Sequence, residues 1–454
     1  MPFQVEKESM KATRLLAISV LMIALWLSIA PSVAFGQGST WAGEGLARMV
    51  ESAMWRAGIL RVNAALQLRD VGYDSDIYYG FFGDSVPDGT FSASVPVQVL
   101  LSLNKTTVLD LYDSPRYDFY LNTKHERAWN NTFRGQAHFA LSKVYIRLGG
   151  ELDDNRRRLS QELDVNIREK IKRIDAFALW QASRATSLAL LYDRSNFDYG
   201  NAEFGGIGLA ETINRRVDSL EFVTFIQAAP HFRFFVDGQY ADYFFTAVSS
   251  QFKNTRSYAL FGGFVSVIQA DSPNRVGRID GYARMGYMNF NVRDIGQPDG
   301  TGLVGDVDLS VGIFKLTTAR IFYSKGFNFS IFAEATFFAE QNYGIGINRL
   351  LSRRTSLSYD LTFGRSSYPR TDGDGNALSG VLYRFATHRM SLSKTLARNL
   401  RISLTGTLGQ RVTSQTGQVW KRYLIGLSLD YGTPPGPDSG PMRELLGSSP
   451  GFAY

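Results

Sequence analysis

From Leu60 onward the hydrophobic pattern repeats every two residues, in runs too long for the sheets of soluble proteins. Leu60, Val62, Ala64, Leu66 and Leu68 alternate with Arg61, Asn63, Ala65, Gln67 and Arg69. Successive side chains of a strand point to opposite faces, so such a run has one apolar and one mostly polar face. The alternation recurs where Phe91, Ala93, Val95, Val97, Val99 and Leu101 oppose Ser92, Ser94 and Gln98. It recurs again with Leu109, Leu111, Tyr117 and Phe119 against Asp110, Arg116 and Asp118, and with Phe133, Ala137 and Phe139 against Arg134, Gln136 and His138. Val144, Ile146 and Leu148 oppose Tyr145, Arg147 and Glu151, and the last run sets Tyr423, Ile425, Leu427, Leu429 and Tyr431 against Arg422, Ser428 and Asp430. Runs of about 10–14 residues exceed the five or six of soluble strands and suit the roughly 9–11 that a tilted strand needs to cross a bilayer. A soluble sandwich or lipocalin would also alternate, with its apolar face inward.

The connections favour the membrane. Short turns are expected at Asn104-Lys105, Ser142-Lys143, 182–185, 228–231, 352–354 and Arg398-Asn399, and longer polar loops at 74–89, 122–130, 153–158, 196–215, 246–255, 291–301 and 366–379. Short periplasmic turns and long outer loops are the mark of outer-membrane barrels. After the N-terminal region, charges interrupt every apolar run before it reaches the length of a spanning helix, and only helices and closed barrels satisfy the backbone in lipid. The expected fold is therefore all-β, a transmembrane antiparallel β-barrel of about 18 strands, with 16 as the alternative because bacterial barrels keep the number even. The alternation blurs over 167–180 and 321–350.

Four segments follow. Residues 1–36 read as a signal peptide: Lys11 and Arg14 precede the apolar run Leu15–Ala30, and Ala34 and Gly36 suit a cleavage site. Residues 37–57 form a periplasmic segment with a short amphipathic helix, whose stripe is Leu46, Met49, Val50, Ala53 and Met54. Residues 58–432 form the barrel, and the Pro/Gly-rich residues 433–454 a flexible tail. The expected location is the cell outer membrane.

The chain has no cysteine, which excludes disulfides, thiolate metal sites and a lipoprotein anchor. A net charge of +7 spread along the chain gives no nucleic-acid stripe. His125, His138, His231 and His388 form no metal-spaced pair, and no Gly-x-Ser-x-Gly elbow accompanies them, so neither a cofactor nor an enzymatic centre is expected. Gly305-Asp306-Val307-Asp308 and Asp372-Gly373-Asp374-Gly375-Asn376 have calcium-loop composition but lack the closing glutamate of an EF-hand, and read as solvated hairpin loops. Arg156-Arg157-Arg158 reads as a charged outer loop near lipopolysaccharide phosphates. The lumen-facing candidates are Arg61, Arg69, Asp110, Arg116, Asp118, Arg134, His138, Arg147 and Glu151, a mixed-sign set that suits either a weakly selective channel or an ion-laced, filled lumen.

Several segments resemble a known family. A strand opens at Gly58-Ile59-Leu60 and ends in Gly72-Tyr73-Asp74-Ser75-Asp76-Ile77, and Thr90-Phe91-Ser92-Ala93 opens the next. Later, Arg215-Arg216-Val217-Asp218-Ser219-Leu220 starts a strand and Asp237 to Phe244 ends one. This pattern is similar to the outer-membrane β-barrel family of the porin-2 type, whose members commonly carry Asn at the position of Asp76. Gly426, Leu429 and Tyr431 resemble the assembly signal of a last barrel strand, although 23 residues follow. The resemblance implies a barrel associated with exopolysaccharide biosynthesis and export, and transfers no functional residue. The resulting expectation is a non-enzymatic channel, or an accessory in envelope polysaccharide export or passive diffusion; the alternative is a scaffolding barrel with a plugged lumen. Expected partners are outer-membrane lipid and lipopolysaccharide, the barrel assembly machinery and polysaccharide export components, and no nucleic acid.

Overall fold

The computed structural model describes residues 42–432 except 79–84, 105, 159–165, 201, 205, 230, 267–275, 295, 333–334, 369–381 and 414–418. The expected signal peptide (1–36), the expected tail (433–454) and the calcium-like residues 372–376 lie outside the described residues. Eighteen antiparallel strands close into one barrel. They are β1 (Leu60–Asp74), β2 (Asp88–Ser94 with Val97–Ser102), β3 (Thr107–Asp113 with Arg116–Tyr120), β4 (Ala128–Ala140), β5 (Val144–Arg158) and β6 (Asn166–Gln181). Next come β7 (Thr186–Asp198), β8 (Arg215–Ala229), β9 (Phe232–Phe245), β10 (Thr255–Ser266), β11 (Ile279–Val292) and β12 (Gly300–Phe314). The last are β13 (Thr317–Phe329), β14 (Phe337–Ser352), β15 (Thr355–Ser367), β16 (Leu382–Ala397), β17 (Leu400–Thr413) and β18 (Val419–Gly432). β2 and β3 break where Pro96 and Pro115 cannot donate to the ladder.

β18 pairs with β1 and closes the cylinder. A bulge between Leu68 and Val71 marks this seam, with Asp70 at a φ of 52°. Before it, Gln67 is buried inward; after it Asp74 is, so the extra residue flips the parity and keeps Val71 and Tyr73 outward. Gly72 lies opposite Gly426, and a Cβ on Gly72 would sit 1.9 Å from the Ile425 carbonyl oxygen. Only glycine permits this approach.

The outer wall is apolar and open. Leu66, Leu111, Leu148, Ile174, Leu190, Leu260, Ile345 and Leu404 all project outward and are 40–55% exposed. Two aromatic girdles flank them: Tyr73, Trp129 and Tyr423 toward the long loops, Trp55, Trp180 and Tyr431 toward the short turns. Such a continuous apolar band is stable only against lipid, and girdles at both edges mark the two interfaces. No helix among the described residues is long and apolar enough to cross a membrane, so the strands make the crossing. The protein is an outer-membrane β-barrel.

Two local expectations need correction. Residues 153–158 are not a loop but the end of β5, paired with β6 through Arg158↔Asn166; the strand runs past the lipid, where both faces can be polar. Gly305-Asp306-Val307-Asp308 is not a hairpin loop but the middle of β12. The segments with blurred alternation are β6 and the β13–β14 pair.

Candidate functional site: the barrel lumen

At the short-turn end the lumen holds a helix. The apolar stripe of α1 (Ala42–Glu51) needs a partner, and Leu46 and Met49 find one in the barrel wall. They pack with Leu100, Val108, Tyr145, Phe177, Leu179, Phe225, Phe235 and Tyr282. The following turn is tied down, because the Met54 amide donates to Asn63 Oδ1 at 2.9 Å.

At the opposite end the loops close inward. α2 (Leu209–Ile213) buries Leu209 and Ile213 against Ile167, Ile171, Phe197, Val217 and Tyr243. Phe329 of β13 lies 5.0 Å from Tyr243 and 4.9 Å from Phe245 of β9. Those strands are four spacings apart, about 19 Å around the wall, so the rings meet across a chord of the mouth. The Tyr199 hydroxyl donates to Glu169 Oε1 at 2.7 Å, and burial pushes its phenol up. In the first long loop the Tyr78 hydroxyl reaches Glu126 Oε1 at 3.2 Å; partial burial and that carboxylate push it up to about 12.

Between the two plugs, β3 to β13 carry a charged belt. Five of the nine lumen candidates come together here. Asp110 is 2% exposed and accepts from Gln98 Nε2 at 3.0 Å to each oxygen, with His138 Nε2 4.0 Å away. His138 Nδ1 is 2.7 Å from the Tyr145 hydroxyl. Arg134 is buried with its guanidinium 5.4 Å from the Tyr112 ring. Arg147 pairs with Asp175 at 2.8 Å, and Glu151 lies 4.0 Å from Arg173. Arg116 and Asp118 pair with each other nearer the long loops, Arg61 donates to the Gly58 carbonyl at the short-turn rim, and Arg69 faces Asp430 across the closing seam. These four do not join the cluster. Sequence reading missed the rest of the belt: Arg173 with Asp193 at 3.0 Å, Arg284 with Asp306 at 2.9 Å and Asp237 at 3.3 Å, and Arg320 with Asp308 at 2.6 Å. Asp306 and Asp308 are the exception: their alternation with Val307, Leu309, Val311 and Ile313 already sets them on the polar face of a strand, and only their partners Arg284 and Arg320 went unread.

The wall from β15 to β18 is different. Register aligns Ser356, Ser393, Ser403 and Ser428 in one row and Ser358, Ser391 and Thr405 in the next. Tyr359, Met390 and Leu404 between them point to lipid, so the hydroxyls point inward. Ser393 Oγ is 2.9 Å from Ser403 Oγ, Thr405 donates to Ser391 Oγ at 3.1 Å, and Arg401 donates to Ser393 Oγ at 3.0 Å. Arg69, Arg389 and Arg401 face the same space and are exposed. An inward side chain stays exposed only beside open, water-filled volume. Among the described residues the lumen is filled along one side, whereas along the other Arg69, Arg389 and Arg401 stay exposed.

Among the described residues no cluster of His, Asp or Glu could hold a metal ion. No protein-family model matches the chain, and no curated protein matches it. Similar solved structures include the outer membrane protein OpdK from Pseudomonas aeruginosa, at 13% identity and a TM-score of 0.48 over 82% of this chain and 98% of that one. OccAB3 from Acinetobacter baumannii is 11% identical, with a TM-score of 0.46 over 82% and 99%. A bacterial polysaccharide outer membrane secretin is 8% identical, with a TM-score of 0.37 over 82% and 98%. The assignment as a barrel rests on the strand pairing above.

Proposed function

We propose that this protein is a non-enzymatic outer-membrane channel whose water path runs off-axis, along the inner faces of β14 to β18 and β1. The observation that carries the reading is the pair of hydroxyl rows beside exposed inward arginines, opposite a wall that is packed and ion-paired. Serine and threonine hydroxyls donate and accept, so they replace the hydration of a hydroxyl-rich solute without holding it by charge. That lining supports sugars as the solute class. It also supports a place in envelope polysaccharide export or passive sugar diffusion, in line with the family that the sequence segments resemble. The test is conductance of the purified full-length protein in a planar bilayer. Reproducible single-channel steps that shrink in Ser391→Trp are expected; stable insertion with no steps would overturn the reading.

A scaffolding barrel with a closed lumen is the second reading. The helix at one mouth and the aromatic bridge at the other favour it. It predicts no conductance in the wild type and conductance only after α1 is removed.

A further inference from the structure

On the outside of the barrel, polarity reverses at the long-loop end. Above the lipid-facing Leu190, Leu220 and Val236, the outward positions of β6 to β10 become cationic. Register places Arg194, Asp218, Asp242 and Arg256 in one straight row across β7, β8, β9 and β10. The next row toward the loops holds Lys172, Asn196, Arg216 and Phe244. Arg194 follows Leu190 on the same face by four residues, roughly 13 Å along the strand, which sets these rows at the level of the outer-leaflet headgroups.

Each carboxylate is shared by two arginines. Asp218 takes Arg194 and also Arg216, whose Nε is 3.0 Å away; Asp242 takes Arg293 and lies 3.7 Å from Arg256 Nε. The Arg216 and Arg293 guanidiniums each sit 4.7 Å from the Phe244 ring centroid, which gathers both at this row. One carboxylate accepts one bidentate fork, while two guanidiniums present ten N–H donors between them. Five cations against two carboxylates leave the patch positive, and the four arginine side chains keep 33–51% of their surface exposed. Planar forks with spare donors fit phosphate oxygens.

The geometry points to this patch as a binding site for a phosphorylated glycolipid of the outer leaflet, its phosphates on the arginine rows and its acyl chains on the apolar wall below. Charge complementarity and continuity with the lipid-facing band favour that occupant over a soluble anion, which would use only the upper half. This inference is independent of whether the lumen conducts.

The test is native mass spectrometry of the full-length protein in detergent, titrated with diphosphoryl lipid A. Retained conductance or gel heat-modifiability shows that each variant is folded. Arg216→Gln with Arg293→Gln weakens binding about tenfold, a loss of about 1.4 kcal/mol, whereas Arg349→Gln, outward at the opposite end, leaves it unchanged. Asp218→Asn with Asp242→Asn shifts it the other way and tightens binding, because it frees the guanidiniums; this variant decides the matter should the arginine pair fail to fold. Dephosphorylated lipid A binds weakly, and inorganic phosphate competes poorly. Wild-type affinity in the double arginine variant, no tightening in the double asparagine variant, equal binding of dephosphorylated lipid, or full displacement by equimolar inorganic phosphate would each overturn the site.

Discussion

The inner wall of β5 to β12 and that of β15 to β18 are built on the same ladder, yet they solve opposite problems. In the first, inward charges pair between strands: Arg147 with Asp175, Arg173 with Asp193, Arg284 with Asp237 and Asp306. Above and below that belt the wall is apolar and covered, by α2 on one side and α1 on the other. In the second wall the inward groups are small hydroxyls, and the arginines beside them stand in water. A barrel of this circumference encloses more volume than its wall residues fill. In the proposed path, filling one side with loops, a helix and ion pairs leaves water the other side.

The largest expected contrast is in stability. Arg284→Ala strands the buried Asp237 and the half-buried Asp306 and should cost about 3–5 kcal/mol. Arg389→Ala removes a solvated charge and should stay within about 1 kcal/mol. Urea unfolding in detergent, followed by tryptophan fluorescence, measures both; equal losses would erase the distinction between the walls. Next in size is the helix. Met49→Asp places a carboxylate in the apolar cluster under α1, so the helix should leave the lumen and conductance should rise while the barrel keeps its melting temperature. A fall in melting temperature without added conductance would make α1 part of the wall's core. In the open wall, Ser391→Trp should reduce conductance, whereas a large residue replacing Ala189, already buried at 3% under α1, should cost stability instead. The smallest effect is Ser393→Ala, which removes a hydroxyl that Arg401 and Ser403 share and should cost about 0.5–1.5 kcal/mol.

The membrane-crossing part of the barrel was readable from sequence because lipid outside and polar lumen inside impose period two on residues such as Leu60 to Leu68. Reading failed where that contrast inverts. In β6 the outward Arg168, Lys170 and Lys172 rise above the lipid, while the inward Ile167 and Ile171 pack under loops, so the strand presents the opposite pattern at its two ends. The bulge at Asp70 was invisible for another reason: it is set by the seam with β18, more than 340 residues away. The belt was half legible. Inward parity singled out Asp110, His138, Arg147 and Glu151, but Asp175 and Arg173, the β6 partners of Arg147 and Glu151, lay in the segment whose alternation was blurred. The hydroxyl rows were legible only strand by strand: alternation set Ser403, Thr405 and Ser428 on a polar face, but only the register of four strands aligns them with Ser391 and Ser393.

The off-axis water path is the central claim, and the absence of cysteine from the chain allows it to be tested without background. Single substitutions Ser391→Cys on the hydroxyl wall and Ser195→Cys on the packed wall, where Ser195 is 1% exposed, should be treated with a charged, membrane-impermeant thiosulfonate during bilayer recording. The account predicts a prompt change in conductance for Ser391→Cys and none for Ser195→Cys. Modification of Ser195→Cys with an unreactive Ser391→Cys would contradict it and place the path on the other side of the barrel.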